Sequence, residues 1–189
     1  MSQADTEPTD RILLQRMAAG DRAALSTMYR AYHGRLTRFL NRLTRRADII
    51  EEVINDCFWI AWQKASNFHG DSRVSTWIMG IAYRRALNML RRATTHDRAM
   101  RLEIAEGEPT ASDSAQELEE RQLLNAGLAQ LPLEQRLVLE FTYYLDHSCE
   151  EIAEIMDCPV NTVKTRMFNA RRKLRVLLKD SAPSMENRL

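Results

Sequence analysis

The sequence predicts an all-α protein built as two small helical domains, and three observations carry that expectation. Apolar residues recur at three- and four-residue spacing along most of the chain and nowhere alternate as a strand requires. Only 6 glycines and 5 prolines stand among 189 residues otherwise rich in Ala, Leu, Arg, Glu and Met, a composition that favours helix. The apolar period lapses over residues 94–115, where Glu106, Gly107, Glu108, Pro109 and the serines of 112–114 mark a flexible linker. A hydrophobic content of 44% is enough to give each half its own core.

The first domain, residues 1–95, is expected to hold helices at about 10–19, 22–45, 48–66 and 75–93. On the third of these, Ile50, Ile54, Cys57, Ala61 and Ala65 form a buried stripe and leave Glu52, Asn55, Asp56, Trp59 and Gln63 on the far side. A tryptophan exposed among acids points to a protein-docking patch; the alternative is an ordinary acidic face with Trp59 folded under a neighbour. The fourth helix buries Ile78, Ala82, Ala86 and Met89 and aligns Arg84, Asn88 and Arg91 on another face, bordered by Arg85 and Arg92. That array suits phosphate neutralisation. Trp77 is read first as a helix-packing side chain. Between these helices Asn67, Phe68, His69, Gly70, Asp71 and Ser72 form a polar loop with a single ring, and Phe68 is read first as a core anchor.

After the linker at 96–116, the second domain at 117–180 should carry helices at 117–130, 133–145, 149–157 and 161–178, followed by a tail at 181–189 with little to bury. Residues 148–178 have helix-turn-helix spacing: Ile152, Ala153 and Met156 face inward, Asp157 takes the turn, and Val160 and Val163 begin the next packed surface. Asp157 stands where glycine is commoner, and Asp tolerates the left-handed conformation better than most residues. Asn161 or Thr162 can cap the final helix. There Val163, Met167, Ala170, Leu174 and Leu177 make one narrow apolar stripe, with Thr165, Phe168, Asn169 and Arg172 opposite. A phenylalanine facing away from the core can touch a thymine methyl, beside Asn169 and Thr165, which can hydrogen-bond base edges. Lys164, Arg166, Arg171, Lys173 and Arg175 flank that face as phosphate contacts, so this helix is expected to bind duplex DNA; a merely solvated basic helix is the bland alternative.

The formal net charge of +1 decides little, but its distribution is uneven. Residues 35–46, 84–101 and 164–179 are basic, and 103–120 is acidic. No window approaches the roughly eighteen apolar residues of a membrane span, and the start MSQADTEPTD lacks the basic and apolar regions of a signal peptide. A cytoplasmic protein without direct membrane contact is expected. Cys57, Cys149 and Cys158 lack zinc-finger spacing and read as small buried hydrophobes. His147 with Cys149 and Cys158 would make a weak metal or redox site, so neither metal nor cofactor is expected. A Gly-rich phosphate loop, an HExxH motif and a nucleophile motif are all lacking, which argues against an enzyme.

Over roughly residues 23–178 the chain resembles the extracytoplasmic function (group IV) sigma factors of bacterial RNA polymerase. The block EEVINDCFWIAWQKASNFHGDSRVSTWIMGIAYRRALNMLRR looks like region two of that family, and LPLEQRLVLEFTYYLDHSCEEIAEIMDCPVNTVKTRMFNARRKLR looks like region four. The resemblance implies a transcription initiation factor that binds core RNA polymerase and directs it to promoters. Region two would dock on the clamp helices of the largest subunit through Glu52, Asn55, Asp56 and Trp59. It would bind and melt the minus-ten element, with the 67–72 loop capturing a flipped base and Arg84, Arg85, Asn88, Arg91 and Arg92 meeting the backbone. Region four would bind the minus-thirty-five element through Asn161, Thr162, Lys164, Thr165, Arg166, Phe168, Asn169, Arg171, Arg172 and Arg175, and would meet the polymerase flap. An anti-sigma factor would sequester both domains. Asn55 and Asp56 replace the family's commoner Gln and Glu, and the paired aromatics of primary sigma factors are replaced by Gly80 and Ile81, which implies more selective melting. A free-standing repressor or activator with the same helix-turn-helix is the competing class.

Overall fold

Short connections between amphipathic segments leave each helix one solution, to turn back and bury its apolar stripe on its neighbours. The computed structural model describes residues 3–96 and 115–181, with side chains at 7–89 and 122–178. It holds α1 (Gln3–Ala18), α2 (Arg22–Leu40), α3 (Ala47–Lys64), a 3-10 turn at Ala65–Asn67, α4 (Val74–His96), α5 (Ala115–Ala129), α6 (Leu133–Tyr143), α7 (Cys149–Met156) and α8 (Val160–Ser181). Among the described residues there is no strand, and no helix is long and apolar enough to cross a membrane. The chain divides into two compact units, one founded on α1 to α4 and one on α5, α6 and α8. Apart from their helical margins, the linker at 96–116 and the tail at 181–189 lie outside the described residues.

Every expected helix is present, with shifted ends. The first begins at Gln3 rather than near residue 10, because Glu7 holds Arg11 one turn on and also reaches the start of α4. The second stops at Leu40 rather than 45, since the chain turns inward to bury Leu43 and Thr44. Three helix ends share one device, a residue in the left-handed conformation followed by an amide that reaches back to an orphan carbonyl. At the end of α1 it is Gly20 (φ +87°), with Asp21 N–H donating to Arg16 O at 3.0 Å. After α6 it is Asp146 (φ +56°), with His147 N–H donating to Phe141 O at 3.0 Å. After α7 it is Asp157 (φ +52°), as expected, with Cys158 N–H donating to Ala153 O at 3.0 Å.

The starts are capped as well. Asp21 accepts from Ala23 N–H at 2.8 Å and opens α2 immediately after α1 closes. A reciprocal capping box opens α7: Glu151 N–H donates to Ser148 Oγ at 3.2 Å, and Ser148 N–H donates to Glu151 Oε2 at 2.9 Å. The final helix is not capped by Asn161 or Thr162. Pro159 precedes it and its carbonyl accepts from Thr162 and Val163 N–H, which puts both candidates inside the first turn.

In the first unit, Leu14, Met17, Met28, Leu36, Phe39, Ile54, Ile78 and Met79 fill the core. The α3 stripe is wider than predicted, because Val53 and Phe58 are buried beside Ile50, Ile54, Cys57, Ala61 and Ala65. Cys57, Ala61, Ala82 and Ala86 form a thin seam between α3 and α4, and the Cys57 thiol donates to Ile78 O at 3.5 Å. Burial pushes that thiol up to about 12, so it remains a protonated donor. The second unit holds Leu137, Val138 and Phe141 of α6, Ile152 of α7 and Val163 and Ala170 of α8 in its buried interior. Cys149 and Cys158 are half-buried rather than buried, one at the first position of α7 and the other in the turn after it.

Two stability predictions follow from these contacts. Ser148→Ala removes half of the capping box and should cost about 1 kcal/mol in urea unfolding of the second unit. In the first unit, the buried Tyr32 hydroxyl donates to Asp10 at 2.5 Å. Burial raises the Asp10 carboxyl above its ordinary 3.8, against the lowering effect of that hydrogen bond. The folded state therefore holds this proton more tightly than the unfolded chain. The group's contribution to stability is fully present below 3.8 and declines as pH rises through the raised value. Asp10→Asn keeps an acceptor for Tyr32 without the charge, so its urea midpoint should gain on the parent between about pH 3 and pH 7.

Candidate nucleic-acid interface

In α8 the stripe forms as expected: Val163, Met167 and Ala170 are buried, and Leu174 and Leu177 half-buried. Its opposite face carries Phe168, 64% exposed, flanked by exposed Thr165 and half-buried Asn169. A ring in that position covers no core. The Arg172 guanidinium stands 5.9 Å from the ring centre, which stiffens a planar, partly cationic platform. Thr165 Oγ donates to Asn161 O at 2.9 Å, so the hydroxyl proton is committed and its oxygen faces outward as an acceptor. Asn161 is exposed and Thr162 half-buried on the first turn.

The cations around this face divide into two sets. Lys164, Lys173 and Arg175 extend from exposed positions. Arg166 instead turns inward, pairing with Glu134 of α6 and donating to Cys158 Sγ at 3.5 Å. Arg171 donates to the Tyr143 hydroxyl at 2.7 Å and lies 5.7 Å from that ring's centre. Tyr143 and Arg171 also stand at the mouth of an apolar groove of about 590 Å³ between α5, α6 and α8, lined by Leu124, Leu128, Leu139, Leu174 and Leu178. Gly127 lets α5 come this close, since a Cβ there would meet Leu174 Cδ1 at 2.9 Å.

The outer face of α3 is arranged as its period predicts. Glu52 and Asn55 are exposed, and Trp59 is 61% exposed, which removes the reading that folds it under a neighbour. Tyr29 OH donates to Asn55 Oδ1 at 3.3 Å. Asp56 is half-buried and paired with Arg85 of α4, an arrangement that joins a residue expected on the docking face to one expected at DNA. Along α4, Ile78, Ala82 and Ala86 are buried and Met89 is half-buried, while Arg84 and Asn88 are exposed. The side chains of Arg91 and Arg92 lie outside the described residues. In the 67–72 loop Asn67, His69 and Asp71 are exposed, and Phe68, Gly70 and Ser72 half-buried. Phe68 packs at a tilt against Trp77, with ring centres 5.3 Å apart, so both rings serve as anchors of the loop.

Around the turn, His147 is buried edge-on against Phe141 at 5.9 Å, with its Nδ1 3.6 Å from Glu151. Among the described residues it does not gather with Cys149 and Cys158 into a group that could hold a metal ion.

Comparison with known proteins assigns both units. Residues 28–95 match the family model of Sigma-70 region 2, and residues 121–174 match that of Sigma-70, region 4. The ECF RNA polymerase sigma-E factor of Escherichia coli K12 is 30% identical over 174 residues, covering 86% of this chain and 91% of that protein. The RNA polymerase sigma-H factor of Pseudomonas aeruginosa is 31% identical over 179 residues, covering 88% and 92%. Among solved structures, CnrH in complex with the cytosolic domain of CnrY is similar in fold, with a TM-score of 0.65 at 22% identity over 92% of this chain and 99% of that one. The sigma factor RpoE from Bartonella quintana, in complex with the anti-sigma factor NepR, gives 0.62 at 24% identity over 82% and 96%. With both sigma regions in this order on the helices just described, the chain belongs to the ECF sigma factors of RNA polymerase and is a transcription initiation factor.

Proposed function

We propose that the described faces divide promoter recognition and polymerase docking between them. The α8 face centred on Phe168 reads the minus-thirty-five duplex, with Asn169 and Thr165 at base edges and Asn161, Thr162, Lys164, Arg166, Arg171, Arg172 and Arg175 on the backbone. Arg84, Arg85, Asn88, Arg91 and Arg92 of α4 neutralise phosphates at the minus-ten element. The 67–72 loop takes up a base flipped from the melted strand, recovering the unstacking cost through hydrogen bonds to its edge. Glu52, Asn55, Asp56 and Trp59 dock on the clamp helices of the largest polymerase subunit, and the apolar groove beside Tyr143 faces the flap.

Phosphodiester chemistry stays with the polymerase, and the factor acts in the cytoplasm. An anti-sigma factor covers its polymerase-docking surfaces until a signal releases it, a reading supported by the likeness to RpoE, whose structure is a complex with the anti-sigma factor NepR. The observation that carries the DNA-facing half is the ring of Phe168, held in solvent within a ring of cations. For the docking half it is Trp59, exposed among acids. Such aromatic anchors, once desolvated, supply most of an interface's energy.

Run-off transcription with core polymerase on a promoter library tests the whole: transcription of some promoters should depend on the added factor, and dependence at none would sink the proposal. Phe168→Ala should weaken binding at one base step of the minus-thirty-five element, by about 1 to 3 kcal/mol. Arg175→Ala should weaken all sequences evenly and reduce the salt slope by about one. Equal losses on every sequence for both variants would refute the face assignment. Trp59→Ala should weaken core-polymerase affinity by about tenfold or more while leaving isolated minus-thirty-five binding unchanged.

A further inference from the structure

The 67–72 loop is held from a direction that neither family match includes. The amide that opens α4, Val74 N–H, donates to the carboxylate of Glu7 on α1, with both oxygens at 3.2 Å. Glu7 in turn accepts from Arg11 Nε at 3.0 Å, one turn along the same helix. Its side chain is only 18% exposed, so this bond is largely shielded from competing water. The Arg11 guanidinium continues to the middle of the loop. There Gly70 adopts φ +83°, and a Cβ added to it would come within 3.3 Å of Arg11 Nη1. The loop is thus pinned near its start by Phe68 on Trp77, in its middle by Arg11 against Gly70, and just beyond its end by Glu7 on Val74. The match to region 2 begins at residue 28, after α1 has ended at Ala18.

We propose that Glu7 and Arg11 are positioning residues for the 67–72 loop, through which α1 sets how sharply this factor discriminates the base it captures. The proposal rests on the reading of that loop as the base-capturing element. A polar pocket discriminates only while its donors and acceptors stay within a fraction of an ångström of their working geometry. Half of this loop, Asn67, His69 and Asp71, is exposed polar side chain and none of its residues is fully buried, so its shape depends on outside supports. Glu7 fixes the point where the loop becomes helix. The Arg11 guanidinium lies against the space that a Cβ on Gly70 would take.

The test uses holoenzyme assembled from core polymerase and full-length variants. Its binding is measured to single-stranded minus-ten oligonucleotides carrying each of the four bases at the captured position. Glu7→Ala and Arg11→Ala should narrow the ratio between best and worst base by about fivefold. Glu7→Gln, which keeps an acceptor for Val74, should recover part of that ratio. Affinity for core polymerase and for minus-thirty-five duplex should not change. Arg11 is 48% exposed, so its truncation leaves the core intact even where Glu7→Ala impairs folding. A parental ratio in Arg11→Ala and in folded Glu7→Ala would overturn the proposal, as would an equal loss on all four bases. Asn67→Ala and Asp71→Ala separate the two claims. If they narrow the ratio and the α1 variants do not, the positioning role falls and the loop reading stands; if none of them narrows it, both fall.

Discussion

The thin seam between α3 and α4 is the constraint on which the rest of the first unit depends. Cys57 and Ala61 on one helix and Ala82 and Ala86 on the other are small, and all four are buried. The helices therefore approach closely enough for the Cys57 thiol to reach the Ile78 carbonyl. Close packing of this kind tolerates little change in volume, because a displaced neighbour has no void to move into. Two consequences follow for function. The outer face of α3, proposed to dock on polymerase, and the cationic face of α4 meet where Asp56 and Arg85 pair. The connection between the helices is also short, so the loop between Ala65 and Val74 inherits its span from the crossing.

Several charges on the functional faces are already engaged inside the molecule. The Asp56–Arg85 pair is roughly one-third exposed on each side, and Glu134 opposite Arg166 is more than half exposed. Partly solvated pairs of this kind contribute only about 0 to 1 kcal/mol. They are strong enough to orient a side chain and weak enough to yield it. A phosphate presented to Arg85 or Arg166 can therefore compete on favourable terms, since it offers more charge and more acceptors than a carboxylate. A basic segment arriving at Asp56 would release Arg85 in the same exchange. Lys164, Lys173 and Arg175 extend from exposed positions and, on the proposed reading of α8, would supply the salt-dependent part of DNA binding.

Much of this was legible in the sequence, for identifiable reasons. Periodicity located every helix and the exposed Phe168 and Trp59, because a single apolar stripe predicts both what is buried and what lies opposite. It missed Val53, Phe58, Ile155, Ile81 and Tyr83, since a helix packed on two sides buries residues that one stripe does not include. The capping box at Ser148 was not among the expected features although its signal, a serine followed three residues later by Glu151, stands in the sequence; the left-handed Asp157 was anticipated where Asp146 was not. Asn161 and Thr162 failed as caps because Pro159 already ends the turn, so the helix begins one residue earlier than polar side chains imply. Pairings over long sequence separation, such as Asp56 with Arg85 and Glu7 with Val74, leave no local pattern, and only the packed helices reveal them. Arg136 and Glu140 stand one turn apart on α6, a spacing the sequence does display, but their burial does not follow from it; Glu140 partly offsets the burial that pulls the Arg136 guanidinium downward.

The buried first half of α4 also bears on how the duplex is opened. Val74, Ser75, Thr76, Ile78, Met79, Gly80, Ile81, Ala82 and Tyr83 are all buried, so this stretch is enclosed by its neighbours rather than laid along a surface. Gly80 and Ile81 stand where the resemblance to primary sigma factors would place a pair of wedging aromatics. Here one position has no side chain and the other points into the core. Wedging a base step costs a few kcal/mol that large exposed rings repay by stacking. Without such rings at this place, the proposed capture of a flipped base would have to supply energy for opening by holding the base that has left the stack. On the proposed reading of the 67–72 loop, that would shift the burden of melting from α4 to the loop and to whatever keeps it in shape, and would make opening depend on the identity of the captured base.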